Sequence, residues 1–541
     1  MIPVMSHPLT GLANELAFIT LEEACRHLDN YLGNFVLDDV AGIVYANRFL
    51  GAPDLETVPR AVHDLYYCLN RVLEHAPHGV QVLEALNSMS PQPERAERIA
   101  FLQRLSPDPH LKEKIVKHIR QDDFEKAQRL LHQQLSELPA CLWAAAQLLQ
   151  DDADHGRHPG PWQSMFKCPA KIRPLWDRML FHHYAALGLH EDALRLWEQM
   201  DEAHSGPYSL NLAAEMYRAL GDRGKASALY MQSIKQDPRQ TVLRYRLEEL
   251  ANPFTADHSL PERRSVNIYL YSWNKADFLE KTLRGLAATH IGNARIRLLL
   301  NGCTDDSLNR AERIRDEYFK ENMKIISLPV NIGAPAARNW LIALPETREA
   351  DYTAFLDDDV DVEEHWLAKL LTVLEANPGA GVAGCKVVYP GTPRRLQYLY
   401  RTPSVVRDDL FRISFEAPSV RNDTGLYDFV RSTANVMGCC HLFRRQALLD
   451  CPTFDICFSP SQMDDIAHDF DLLLKGHGII YCGLASCVHH QNTGTAFFRT
   501  RKLSQHGNIA GNDVKFFYKF WENRNELRSL MNVRQPASGG A

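Results

Sequence analysis

The chain lacks an apolar run of membrane-spanning length. Its longest candidate, Ala140 to Leu149, is too short and contains Gln147, so no transmembrane helix is expected. It lacks a large charge excess. A formal charge of -7 over 541 residues gives no general nucleic-acid footprint, and no nucleic-acid partner is expected. It lacks a cysteine framework. The 12 cysteines are scattered, and Cys482 and Cys487 have no second pair that would complete a zinc site. They read as reduced thiols, with the adjacent Cys439 and Cys440 as small core residues. The opening residues Met1 to Pro8 lack the basic and apolar regions of a signal peptide. These absences point to a cytoplasmic location, at most peripheral at the inner face of a membrane. With 45% hydrophobic and 23% charged residues the composition is that of a globular protein. The length calls for two or more domains.

Two halves differ in periodicity. Up to about residue 250, apolar residues recur at helical spacing, as in Leu21–Leu32, Val58–Leu73, Val80–Leu86 and Ile115–Leu135. A repeat lies within this half. Tyr184, Gly188, Ala193 and Trp197 recur as Tyr217, Gly221, Ala226 and Tyr230 at an offset of 33 residues. A small alanine lets two helices approach, an aromatic fills the gap to the next hairpin, and glycine makes the turn. Phe124, Ala127 and Leu131 match more weakly, and His158-Pro159-Gly160-Pro161 breaks the register. Asn252-Pro253 and Leu260-Pro261 then punctuate a polar connector. Beyond it strands alternate with helices: strands Val266–Tyr271, Ile296–Leu300, Lys324–Leu328 and Tyr352–Leu356, helices Lys275–Leu286, Leu308–Lys320 and Ala334–Leu344. That order implies a mainly parallel sheet covered by helices.

The fourth strand runs into Asp357-Asp358-Asp359-Val360-Asp361. Carboxylates this close repel and raise one another's pKa unless a positive group sits between them. A hard divalent cation bound through oxygen would serve, and open α/β sheets bind ligands at the carboxyl ends of their strands. Alone, the cluster reads equally as a solvated acidic loop or a turn capping the next helix. The other strand ends are polar as well: Tyr271-Ser272-Trp273-Asn274 after the first, Asn301-Gly302-Cys303-Thr304-Asp305 after the second, and Asn331 to Asn339 after the third. Pro335 suits a first helical turn, and Arg338 reads as a guanidinium aimed at the crevice, able to clamp a diphosphate.

Together these four segments, in this order, resemble glycosyltransferase family 2 in its GT-A form. The family pattern is Pro-x-Tyr-Asn, Asp-Asp-Gly-Ser-x-Asp, Asn-x-Gly-x-x-x-Ala-Arg-Asn and Leu-Asp-x-Asp. The resemblance covers about residues 264–495. It extends through Val436 to Arg445, which is similar to the family's small-residue strand, and through Asp464-Asp465, similar to its Glu-Asp helix. Ala485 to His489 is similar to its closing strand. The repeat in the first half resembles the tetratricopeptide repeat.

These resemblances imply a multidomain protein, an N-terminal all-α helical-repeat region followed by an α/β GT-A domain, Rossmann-like with a mainly parallel sheet. The expected divisions are a helical region 1–110, repeats 111–252, a linker 253–263, the GT-A domain 264–500, and a helical extension with a disordered tail at 501–541. The implied activity is metal-dependent, inverting transfer of a hexosyl or related group from a nucleoside diphosphate sugar. The acceptor would be a hydroxyl on a glycan, a lipid-linked glycan or a protein. The cation, Mn2+ or Mg2+, would be held by Asp359 and His489. Ser272, Asn274, Asn301, Arg338, Asp357 and Asp358 would bind the nucleotide sugar. Asp465 would act as general base, with Asp464 orienting the acceptor. The helical repeats would recruit a protein partner or acceptor, dimerise, or brace the enzyme. Lys515 to Trp521 would touch a membrane surface or pack back on its own domain. Leu300 and Asn301 depart from the family's two aspartates, so uridine recognition does not carry over. A catalytically silent GT-A domain serving a scaffold built on the repeats stays as the rival reading. A nucleotidyltransferase is disfavoured, because Ser272-Trp273-Asn274-Lys275 supplies no glycine-rich basic phosphate loop.

Overall fold

A computed structural model describes residues 11–121, 123–200, 205–407, 412–416, 421–490 and 503–532. Two compact units emerge. One comprises residues 1–250 with 391–394 and 421–426; the other comprises 251–390, 395–420 and 427–541.

Among the described residues from 11 to 250 the regular elements are all helices. The run expected as one helical stretch over Ile115–Leu135 is two helices, Pro109–Arg120 and Phe124–Glu137. They share one apolar face, which hid the break between them: Ile115, Ala127, Leu131 and Leu135 are all buried in one cluster. Asp108 caps the first by accepting from the backbone N–H groups of His110 and Leu111. The two strongest repeats form hairpins Arg173–Ala186/His190–Trp197 and Pro207–Ala219/Arg223–Gln236. Gly188 and Gly221 turn them in the left-handed region, at φ 71° and 88°. Ala193 and Ala226 are fully buried where the helices meet. The irregular stretch between repeats is held by Asp152, whose carboxylate accepts from Gly160 N (2.8 Å), Trp162 Nε1 (2.7 Å) and Arg157 Nε (3.0 Å).

Glu215 is buried in the last hairpin. Arg246, fully buried, grips it in two bonds, Nε to Oε1 at 2.7 Å and Nη2 to Oε2 at 2.9 Å, and Tyr230 also donates to it. Removing the arginine leaves a buried charge uncompensated. Arg246→Met should therefore destabilise the helical unit by about 3–5 kcal/mol, read as an earlier unfolding transition in denaturant. An unshifted transition would show that Glu215 is neutral in the fold.

The second unit is built on a ten-stranded mixed sheet. Its strands are β1 (Val266–Ser272), β2 (Arg295–Asn301), β3 (Met323–Leu328), β4 (Tyr352–Leu356), β5 (Val360–Val362), β6 (Ala380–Tyr389) and β7 (Arg395–Tyr398). A separate hairpin, β8 (Thr402–Arg407) and β9 (Arg412–Glu416), precedes β10 (Val430–Thr433), β11 (Cys440–Arg444) and β12 (Gly478–His489). The order β10-β12-β6-β11-β4-β1-β2-β3 places β1 centrally, parallel to both β2 and β4. β11 runs antiparallel between β4 and β6. The chain moves outward from β1 through β2 and β3, then returns to the other side of β1 as β4. The crevice at the carboxyl ends of β1 and β4 is thus a topological switch point.

Alternation decides what each face carries. On one face Ile268, Leu270, Ala354, Leu356 and Leu442 pack beneath helices Ala276–Ala287 and Trp366–Ala376. On the other, Tyr269, Phe355 and Phe443 form an edge-to-face row with centroids 5.6 and 6.0 Å apart. Cys439 and Cys440 are core residues on the first face, and the thiols of Cys385, Cys440 and Cys487 meet there, fully buried.

The expected linker changes, and the C-terminal stretch packs back on its own domain, one of the two readings given for it. Residues expected as a linker are packed structure: helix Leu260–Arg263 buries Leu260 and Pro261, and Asp257 N donates to Thr372 Oγ1 at 2.9 Å. The C-terminal extension is not separate. Helix Leu503–Lys519 and the turn after it bury Phe516, Phe517 and Phe520 against Phe458, Ile466 and Phe470 of the same unit. Those aromatics are turned inward and are not offered to a membrane. Met1 to Pro8 and the expected tail Ala537 to Ala541 lie outside the described residues.

Candidate active site

The site is assembled at the switch point. β4 ends at Leu356, and Asp357, Asp358 and Asp359 follow at once. β1 ends in Ser272, whose hydroxyl donates to Asp358 Oδ2 at 2.6 Å. Trp273 beside it is exposed. Asn274 then turns the chain with φ 52°, and its Oδ1 accepts from Thr304 N at 2.7 Å. β12 returns along β6 and pairs with β5, carrying His489 opposite Val360. Asp357, Asp359 and His489 thereby offer ligand atoms within 4.8 Å of one another.

These residues suit a divalent cation. Asp359 Oδ1 is buried and has no hydrogen-bond partner, although His489 Nε2 lies 3.1 Å away. Such an orphaned carboxylate oxygen is costly unless a cation completes it. An imidazole and carboxylates form a common donor set for such an ion. Behind the ring, Gln397 Nε2 lies 3.1 Å from His489 Nδ1 and fixes the ring plane.

The carboxylates are not equivalent. Burial pushes Asp357 up to about 6, with Asp359 and Asp358 adding to the rise while Arg338 and His489 oppose it. Asp358 is raised too, by burial, with Lys275 opposing. Burial acts upward on Asp359 as well, but His489 and Lys275 win, and its carboxyl stays below the ordinary range.

A second acidic group closes the other side. Helix Asp464–Leu474 begins with Asp464 and Asp465. Asp464 is buried and ion-paired to Arg338 Nη1. Arg338 lies 3.6 Å from Asp357 Oδ1, donates to Gly438 O at 3.3 Å, and is sandwiched between the rings of Tyr271 and Phe454, 5.2 Å from each centroid. Asp465 is only half-buried; its Oδ2 accepts from Gly438 N at 3.0 Å. A side chain on Gly438 would collide with Asp465 Cβ at 2.8 Å and crowd Arg338 Nη2 at 3.0 Å. One turn along the helix, Asp469 pins the same segment, accepting from Asn435 Nδ2 (2.8 Å) and Val436 N (3.1 Å).

Three expected roles change in this geometry. Arg338 is 4% exposed, with Nη1 on Asp464 and Nη2 on Gly438 O, so it ties the two acidic groups together and is not open to the crevice as a diphosphate clamp. Asp464 is 2% exposed and holds Arg338, leaving Asp465 as the accessible acid. Asn301 is buried; it bonds Asn331 Oδ1 at 3.0 Å and accepts from Ile332 N at 2.9 Å, fixing the loop after β3. Gly302 permits that contact, because a Cβ there would lie 2.3 Å from Val330 C. Leu300 is a core residue. Ser272, Asn274, Asp357, Asp358, Asp359 and His489 all converge at the switch point.

One residue was not anticipated. Lys275 Nζ bridges Asp358 Oδ1 at 3.0 Å and Asp359 Oδ2 at 2.8 Å. Its position directly after the first strand was the available signal.

Residues 268–451 match the family model for glycosyl transferase family 2. The matched span runs from within β1 through β4 and the acidic cluster; Asp464, Asp465 and His489 lie beyond it and are joined to it by the fold. The match, with β1 to β4 running parallel within the mixed sheet, supports a GT-A-type glycosyltransferase domain in the second unit. A search of curated proteins finds no match. Among solved structures, GalNAc-T7 with UDP, GalNAc and Mn2+ is 10% identical, covers 43% of this chain and 46% of its own, and has a TM-score of 0.35. The mannosyltransferase PcManGT from Pyrobaculum calidifontis, with GDP-Man and Mn2+, is 16% identical over 62% of this chain and 88% of its own, at a TM-score of 0.34. S. aureus TarS 1-349 with UDP-GlcNAc is 13% identical over 44% and 62%, at 0.30. This chain thus spans less than two thirds of the GalNAc-T7 and TarS chains.

The elevated Asp357 sets a pH dependence. Only its ionised form could ligate a cation, and protonation proceeds as pH falls through its pKa, so lowering the pH would remove a donor. Mn2+ affinity should fall as pH drops through about 6, measured by titration at about pH 7.5 and about pH 5. Equal affinity at both would remove Asp357 from the ligand set.

Proposed function

We propose that the α/β unit transfers a glycosyl group from a nucleoside diphosphate sugar to an acceptor hydroxyl, with inversion at the anomeric carbon. One observation carries the reading. The carboxylate–histidine group at the end of β4 and the accessible Asp465 flank one crevice, and Arg338 couples them. A diphosphate leaving group needs positive charge on one side, and an attacking hydroxyl needs a proton acceptor on the other.

Asp357, Asp359 and His489 would hold the divalent cation, Mn2+ or Mg2+, which when bound neutralises charge developing on the diphosphate. Ser272 and Asp358 would help bind the ribose, and the exposed ring of Trp273 would offer the base a stacking face. Asp465 would take the proton from the acceptor hydroxyl as that oxygen attacks the anomeric carbon. Its Oδ2 is held by the Gly438 N–H, so the carboxylate is aimed without being neutralised. Asp464 and Arg338 would act as positioning residues. A single displacement inverts configuration. The acceptor would be a glycan, a lipid-linked glycan or a protein, and the stacked hairpins of the first unit would supply a docking surface for a protein acceptor or partner.

Release of nucleoside diphosphate from a panel of sugar donors tests this. Asp359→Ala should abolish donor binding. Asp465→Asn should keep donor binding and lower turnover about 10²- to 10⁴-fold. A folded protein that binds no donor with either cation would support the silent-scaffold alternative instead.

A further inference from the structure

Lys275 is paired directly with two of the clustered carboxylates, and the proposed chemistry leaves it unused. Its backbone is fixed on both sides. Asn274, left-handed and bonded to Thr304, turns the chain out of β1, and helix Ala276–Ala287 starts immediately after. Ala276 N donates to Asp305 Oδ2 at 3.0 Å, which ties this helix start to the neighbouring strand end. From that anchored point the side chain reaches back across the crevice to the residues that follow β4.

The division of oxygen atoms is specific. Asp358 gives Oδ1 to Lys275 and Oδ2 to Ser272. Asp359 gives Oδ2 to Lys275 and keeps Oδ1 open towards His489. The ammonium therefore satisfies one oxygen of each of two adjacent carboxylates and leaves the Asp357–Asp359–His489 face clear. It also alters the charge of that face. Asp357, Asp358 and Asp359 are opposed by Lys275 and, across the crevice, by Arg338, which Asp464 shares. A free divalent ion would bind Asp359 on one oxygen while an ammonium holds the other. At such separations two cations repel appreciably in any protein dielectric. A diphosphate reverses this, since its oxygens attract both. The lysine side chain is 43% exposed, so it is not sealed into the core.

We propose that Lys275 is a tethered counter-ion that keeps divalent-cation binding weak until a nucleoside diphosphate arrives, and then contacts that diphosphate. Cation and donor then bind cooperatively, each strengthening the other by the same factor. This rests on the donor-site reading above.

The test is Mn2+ titration of the full chain, followed by the electron paramagnetic resonance signal of the free ion, with and without UDP or GDP. Wild type, Lys275→Met, Lys275→Arg and Asp359→Ala are compared, with circular dichroism to verify folding. Lys275→Met should bind Mn2+ alone at least about tenfold more tightly than wild type. Its gain in Mn2+ affinity on adding nucleotide should shrink by about the same factor, while Lys275→Arg retains the wild-type gain. Equal or weaker Mn2+ binding by Lys275→Met, with binding still abolished in Asp359→Ala, would overturn the counter-ion role and leave the donor site standing. Absence of Mn2+ binding in wild type and Lys275→Met, with and without nucleotide, would overturn both.

Discussion

The structure of the α/β unit depends on bringing five carboxylates, Asp357, Asp358, Asp359, Asp464 and Asp465, to one crevice. Left alone they would drive the strand ends apart. Two side-chain cations make the gathering tolerable. Arg338, stacked between two aromatic rings, joins Asp357 to Asp464. Lys275 joins Asp358 to Asp359. What they leave uncommitted is a buried Asp359 oxygen facing His489 and a half-buried Asp465. The rest of the sheet serves to hold these groups. β12 carries His489 to the end of β4, and helix Asp464–Leu474 clamps the 435–438 segment through Asp465 and Asp469.

The C-terminal segment extends this logic. Phe516 and Phe520 pack on Phe470, and Lys519 bonds Asp455 and Asp471, so the helix bearing the acidic pair is covered on its outer side. A helix whose first turn holds two like charges gains from such packing, since the helix dipole alone offsets only part of the repulsion. The helical unit is organised differently. Its buried charges, such as the Glu215–Arg246 pair, are matched internally and fix how hairpins stack.

Much of this was legible in the sequence because its signals are local. A strand is bounded by residues of its own, so β1 through β4 and the acidic cluster could be read from periodicity and strand-end polarity. Glycine turns and buried alanines at an offset of 33 residues marked the hairpins for the same reason. Partner choice was not legible. Arg338 looks like a crevice-facing cation until the fold brings Asp464 from 126 residues away. Asn301 looks like a base reader until Asn331 and Ile332 claim it. Lys275 carries no motif, and only the parallel pairing of β1 with β4 sets it beside Asp358 and Asp359. Ile115 to Leu135 read as one helical stretch because a continuous apolar face does not record the break at residues 121–123.

The central claim is that the switch-point cluster is a cation and diphosphate site. Crystals grown with Mn2+ and a nucleoside diphosphate, measured for anomalous scattering at the manganese edge, test it most directly. The account predicts one strong peak bonded to Asp359 and His489, with diphosphate oxygens completing the shell. Nucleotide bound elsewhere, or a manganese peak away from Asp357, Asp359 and His489, would contradict it.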